Sequence, residues 1–252
     1  MKEFIIDSEY KLLYNPDTKQ WDTYQNNILL SKSTKALYKF YCLNLNNVAA
    51  LLNNYFHLSN PSDFNDPFDC NVNLLEDITD LGQMKTVKRN SYTNVGICSF
   101  SETIDNHLMW AHYTNNYNGF ALQFKGENIE TKMKQGQFKR HTLTRVIYPE
   151  KPVKISKDFP FALHYVLTTK MKHWAYEKEW RIITQLETDE RKLKYLPVSV
   201  DSIFIGHRIP DENKSAYELL LNIQEIRFPK VPVYVVYPHS TDLKLNFEKV
   251  WN

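Results

Sequence analysis

The chain has 252 residues, a formal net charge of +2 (31 Lys and Arg against 29 Asp and Glu), 42% hydrophobic residues and 24% charged ones. That balance is globular and excludes a disordered or fibrous chain, while the near-neutral charge gives no global signal for nucleic acid or membrane. The length fits one large domain, able to bury roughly three-quarters of its unfolded surface without a disulfide or metal staple.

Aromatic residues make up 14%, with 16 Tyr and 14 Phe against only 6 Gly, so rings are expected to build the core and to wall flat ligands. Cys42, Cys70 and Cys98 are odd in number and unevenly spaced, which fits reduced thiols and predicts a cytoplasmic protein. The start, MKEFIID, lacks the apolar core of a leader, and no apolar run approaches the roughly 18 residues of a membrane helix. No membrane partner is expected.

Residues 1–36 read as an N-terminal arm packed on a single α+β domain spanning 37–252. Leu37–Tyr41 is the first clear strand, followed by a helix over about 46–54 with Val48, Leu51 and Leu52 at helical spacing. Tyr55–Ser59 is a second strand, stopped by Asn60-Pro61, and SNPSDFNDPFDC after it is turn-rich. Val95–Phe100 reads as a buried strand, Asp105–Tyr113 as a helix capped by Thr103 or Asp105, and Gly119–Phe124 as a strand. Arg145–Tyr148 is strand-like, a helix is expected over about 160–172, and Trp180–Thr184 returns to strand. Ile203–Ile205, a helix over about 212–222 and a last strand at Val233–Tyr237 complete the pattern. The connections are too irregular for a βαβ repeat, which gives α+β with a mixed, mostly antiparallel sheet flanked by helices.

Three clusters could carry chemistry. In Phe64-Asn65-Asp66-Pro67-Phe68-Asp69, Pro67 keeps Asp66 out of the helical region. The result is either a structural turn or a rigid one that presents Asn65, Asp66 or Asp69 to a ligand. In Met109-Trp110-Ala111-His112-Tyr113, His112 is either a core histidine or a catalytic one. His107, five residues earlier, does not share its helix face, a spacing poor for zinc, so no metal site is expected. In Trp174-Ala175-Tyr176-Glu177-Lys178-Glu179-Trp180-Arg181, strand alternation would place Glu177, Glu179 and Arg181 on one face. The outcome is either an ion pair with Arg181 or a Glu that acts as a base or stabilises developing positive charge. Cys98, mid-strand, reads as a small buried hydrophobe, and no phosphate-cradling glycine loop is present. Residues 125–157 hold nine Lys or Arg against three acids, either a solvated surface or a contact for a nucleic-acid or protein target.

Together LYK at 37–39, SNPSDFNDPFD at 59–69, WAHY at 110–113 and EKEWR at 177–181 resemble the recurring marks of a widespread bacterial family of unknown function. The resemblance spans roughly 37–206, and that family commonly carries Arg where this chain has Tyr41. The chain is also distantly similar to ADP-ribosyltransferases, which fold a compact mixed sheet around NAD and use three strand-borne elements in chain order. The matching positions here would be Tyr38–Tyr41, Phe56–Ser59 and Glu177–Glu179. This similarity implies an ADP-ribosyltransferase-like or NAD-cleaving enzyme, of the kind used as a toxin or phage-defence effector, with NAD as substrate. It implies Glu179, Glu177 and His112 as catalytic residues. Tyr38, Tyr41, Ser59, Phe64, Asn65, Asp66, Trp110, Tyr113 and Arg181 would then surround the cofactor. Two other readings stand beside it: a non-catalytic sensor holding a nucleotide or peptide, and a nuclease using Asp66, Asp69 and Glu179 with magnesium.

Overall fold

The computed structural model describes residues 2–17, 20–30, 34–76, 78, 80–125 and 141–251. The chain opens with β1 (Lys2–Ile5), β2 (Tyr10–Asn15), β3 (Gln20–Gln25) and β4 (Ile28–Leu29), then β5 (Ala36–Cys42), α1 (Leu45–Asn53) and β6 (Tyr55–His57). It continues through α2 (Leu81–Tyr92), β7 (Val95–Ser101), α3 (His107–Tyr113), β8 (Gly119–Lys125), β9 (His141–Arg145) and α4 (Ala162–Thr168). Next come β10 (Glu179–Gln185), β11 (Lys192–Lys194), β12 (Val200–Gly206), α5 (Arg208–Glu212), α6 (Lys214–Arg227), β13 (Val233–Pro238) and β14 (Leu245–Trp251). The class is the one expected, α+β with mixed, mostly antiparallel pairing. Among the described residues no helix is long and apolar enough to cross a membrane.

Two compact units share this path: residues 1–32, 58–99 and 138–191 form the first, and 33–57, 100–137 and 192–252 the second. In the first unit, β1 to β4 make an antiparallel meander in chain order. Its last turn needs only Asn26 and Asn27, both at positive φ (49° and 63°), the geometry of a two-residue hairpin and one that Asn tolerates. Alternation along β2 buries Tyr10, Leu12 and Tyr14, which join Val72, Ile97, Ile155, Phe161 and Tyr165 in one apolar core. β7, β10 and β9 lie side by side in that order, with β10 and β9 antiparallel. Arg191 fixes the entry to β7 by donating to the carbonyls of Leu58 (3.3 Å), Thr93 (3.0 Å) and Val95 (2.9 Å).

Several expected elements shift here. The strand expected at 145–148 ends at Arg145, and Ile147 instead bridges Thr169. The long helix expected over 160–172 is only Ala162–Thr168, because the backbone beyond it pairs with Ile147 and leaves the helical path. Leu81–Tyr92, a mostly polar helix capped by the Asp80 side chain on Gln83 N (2.9 Å), carries too weak an apolar pattern to read from sequence.

In the second unit the strand order is β14-β13-β12-β8-β5, with β12 and β13 parallel and the other pairs antiparallel. Ser101 at the end of β7 pairs with Tyr38, and β11 pairs with β6. The core is built from rings, as the composition predicts: Phe56 meets Phe100, Phe124 and Tyr195 at centroid distances of 5.2, 5.1 and 4.6 Å. Gly119 is required where β8 meets β5, since a Cβ there would lie 2.2 Å from the Tyr41 carbonyl oxygen. α3 begins at His107 and is capped by Asn106, whose side chain accepts from Leu108 N at 2.9 Å. Thr103 and Asp105, the caps expected, instead bond each other. Val233–Pro238 is not the last strand, for β14 pairs along it.

Candidate functional site

The Glu-x-Glu-Trp-Arg segment enters β10 from a 3₁₀ turn, Lys172–Glu177. Lys178 follows in the left-handed conformation (φ 45°), so Glu177 lies outside the strand, not on its alternating face as the sequence suggests. Both carboxylates nonetheless converge on one cation, Lys170, whose Nζ lies 2.6 Å from Glu177 Oε2 and 3.4 Å from Glu179 Oε2. Lys170 is carried inward by the Ile147–Thr169 bridge, its backbone N–H donating to Ile147 O at 3.0 Å. Asp69, from the Asn-Asp-Pro turn, adds Oδ2 at 3.5 Å.

Arg181 binds the same acids from the strand side. Nε donates to Glu179 Oε1 (2.8 Å), Nη2 to Glu179 Oε2 (2.9 Å) and Asp69 Oδ2 (2.6 Å), and Nη1 to Leu167 O (2.7 Å) and Cys70 Sγ (3.3 Å). All five guanidinium N–H groups are thereby used. The Phe64 ring packs against the guanidinium at 5.2 Å, and Lys170 lies over Trp174 at 4.7 Å. Tyr148 accepts from the Glu179 backbone N–H at 2.9 Å.

Every charged member of this network is buried, Glu179 to 5% exposure and Arg181 to 0%. Burial pushes the Glu179 carboxyl up, but Arg181 and Lys170, with hydrogen bonds from Arg181 and Ser99, outweigh it and hold the group at about 2. Burial pulls Lys170 down, and Glu179, Glu177 and Asp69 more than offset it, so its pKa is raised. Burial drives the Cys70 thiol well up, which keeps it protonated and a poor nucleophile. The network holds β10, the 3₁₀ turn and the 59–70 turn together.

The other expected residues fall in two places. In the first unit, Asn65 is exposed, and Asp66 turns onto its own loop, Oδ1 accepting from Phe68 N at 2.9 Å. Ser59 exchanges backbone hydrogen bonds with Ile97 (2.8 and 2.9 Å). In the second unit, Tyr38 meets Phe204 edge-on at 6.0 Å and buried Tyr41 stacks on Phe120 at 5.0 Å. Trp110 is fully buried, its Nε1 donating to Ile104 O at 2.8 Å, while Tyr113 is half-buried and His112 exposed on α3. The structure thus gathers Phe64, Asp69, Glu177, Glu179 and Arg181 from the expected candidates, and adds Lys170, Tyr148 and Ser99. Of the basic stretch, 126–140 lies outside the described residues, Lys139 and Arg140 with it. Arg145 lies over the Trp180 ring at 5.1 Å.

The first unit also holds a half-open cavity of about 350 Å³. α2 and the turn after it supply Asn90, Ser91 and Asn94, and β7 supplies Val95; β9 and β10 supply Thr142, Ile183, Thr184 and Gln185; the segment from Pro160 through α4 supplies Pro160, Leu163, His164 and Leu167. None of these residues stood out in the sequence, because none is charged and no spacing joins them. His164 is the one titratable group among them, and burial lowers its imidazole to about 4, so it is neutral near pH 7.

Residues 109–182 match the model of a protein family described as of unknown function (DUF2971). That span, under a third of the chain, includes Trp110–Tyr113 and Glu177–Arg181, while Leu37–Lys39 and the 59–69 turn lie outside it. No curated protein and no solved structure matches the chain.

Proposed function

We propose that this protein is a non-catalytic binding module of the sensor kind, which seats a nucleotide or peptide in the first-unit cavity. The observation that carries the reading is the contrast between two places in that unit. The charged motif residues are sealed into a buried network in which all five Arg181 N–H groups and both Glu179 oxygens are engaged, while Asp69 Oδ1 stays buried without a hydrogen-bond partner. The cavity, in contrast, is open and lined by aliphatic walls and polar side chains.

An NAD-cleaving enzyme needs a carboxylate oxygen open to the ribose, and both oxygens of Glu179 are engaged by Arg181, with Lys170 beside one of them. The geometry therefore supports binding better than transfer. It likewise favours binding over a magnesium nuclease. Asp69 and Glu179 face two cations, and among the described residues no group of three His, Cys, Asp or Glu is placed to hold a metal.

Calorimetry with nucleotides and short capped peptides, alongside an NAD-consumption assay, tests the reading. Saturable binding without turnover is expected, abolished by Leu163→Trp, which fills the cavity from a rim position that is 42% exposed and so tolerates a larger side chain. NAD turnover dependent on Glu179 in a fully folded protein would replace the module with an enzyme.

A further inference from the structure

We infer that the cavity takes an uncharged nucleobase or nucleoside, read by the side-chain amides of Asn90, Asn94 and Gln185, and makes no use of a phosphate; the inference rests on the binding reading above. The first support is charge. Asp, Glu, Lys and Arg make up 24% of the chain, so about three would be expected among twelve lining residues, and among the described residues that line the cavity there are none. His164 adds no positive charge near pH 7, since burial holds it neutral. A phosphate normally demands Arg or Lys, or backbone N–H groups gathered at a glycine loop, and the described lining provides no such cation.

The second support is hydrogen bonding. Each side-chain amide offers one acceptor oxygen and two donor hydrogens. Among the described residues, those of Asn90, Asn94 and Gln185 take no partner within the protein. A nucleobase edge alternates donors and acceptors at the spacing an amide reads bidentately, the same pairing by which Asn and Gln recognise adenine. Asn90 and Asn94 sit four residues apart at the end of α2, and Gln185 ends β10, so three amides edge one opening from two elements.

The third support is shape. Val95, Pro160, Leu163, Leu167 and Ile183 give aliphatic walls suited to a ring face. About 350 Å³ lies at the small end of ligand pockets, enough for one ring system with its sugar.

The test is calorimetry on the full chain with adenosine, guanosine, cytidine and uridine, their 5′-monophosphates and a capped apolar tripeptide. At least one nucleoside should bind, with less than threefold change between 50 and 500 mM salt and less than threefold change on adding the phosphate. Asn94→Leu and Leu163→Trp should each weaken that binding at least tenfold, with the circular-dichroism spectrum and melting curve of the wild type. If either variant melts early, Gln185→Leu replaces it in the same comparison. A monophosphate at least tenfold tighter than its nucleoside, or tripeptide binding blocked by Leu163→Trp, overturns the ligand class and leaves the binding reading standing. Binding by no probe overturns the inference. NAD turnover removes the binding reading itself.

Discussion

Replacing Glu179 by Gln keeps the side chain's size and one acceptor for Arg181 but removes the charge and turns an N–H₂ group toward Arg181 and Lys170. In the folded protein the carboxyl is held at about 2 instead of its ordinary 4.5. At 1.4 kcal/mol for each pKa unit, that preference for the charged form is worth about 3 kcal/mol at neutral pH. Removing one partner of a buried ion pair costs about 3–5 kcal/mol, against about 0–1 kcal/mol for an exposed pair, so both routes agree on a large loss. In a chain of 252 residues, about 3 kcal/mol lowers the melting temperature by roughly 6–12 °C. Urea denaturation followed by tryptophan fluorescence suits the assay, because Trp180 is buried beside Glu179 and Trp174 covers Lys170. A Glu179→Gln protein within 1 kcal/mol of wild type would refute the scaffold assignment and return Glu179 to the candidates for catalysis.

Arg181→Met should cost at least as much as Glu179→Gln, because it strands Asp69, Glu179 and the Leu167 carbonyl together; the same urea titration ranks the two. Acid should destabilise the protein in two steps of the same sign. The folded His164 value of about 4 lies below the ordinary 6.5, so its contribution is full above pH 6.5 and falls as the pH drops toward 4. Glu179 contributes fully above pH 4.5 and loses that contribution as the pH falls toward 2. Melting temperatures measured from pH 7.5 to 3 check this, and a flat profile contradicts it. Arg191→Leu should cost about 1–3 kcal/mol by freeing three carbonyls, and should weaken any ligand of the cavity by loosening Asn94 and Val95; melting and calorimetry on one sample show whether both effects appear. Gly119→Ala should push β8 from β5 and lower the yield of folded protein, where a wild-type melting curve would show that the strands give way easily.

Strands with a strong local signature were legible in the sequence. β5, β7, β8 and β10 each show a run of β-branched, aromatic or aliphatic residues bounded by turn residues, and the structure places them within a residue or two of expectation, while β12 begins three residues before the expected Ile203. The meander β1–β4 was hidden because its hairpin rests on Asn26-Asn27, and its apolar face appears only when Tyr is counted as a core residue. α2 was hidden by its polarity, and β14 because its residues are largely exposed. The acidic motif was visible, but its role turned on Lys170. A lysine reads as a surface residue until the pairing of Ile147 with Thr169 carries it inside, a contact 22 residues away in sequence that no local pattern reports.

Leu167 ties the visible motif to the unreadable cavity. Its carbonyl accepts from Arg181 Nη1 at 2.7 Å while the residue itself lines the cavity, so the buried network fixes one wall of the opening. The chain gains precision from that arrangement at the cost of stranding charges whenever a single member is lost. On the proposed binding reading, the Glu-x-Glu-Trp-Arg segment and the Asn-Asp-Pro turn are positioning elements, and the side chains that would meet a ligand are the plain Asn, Gln and Leu residues that carry no motif at all.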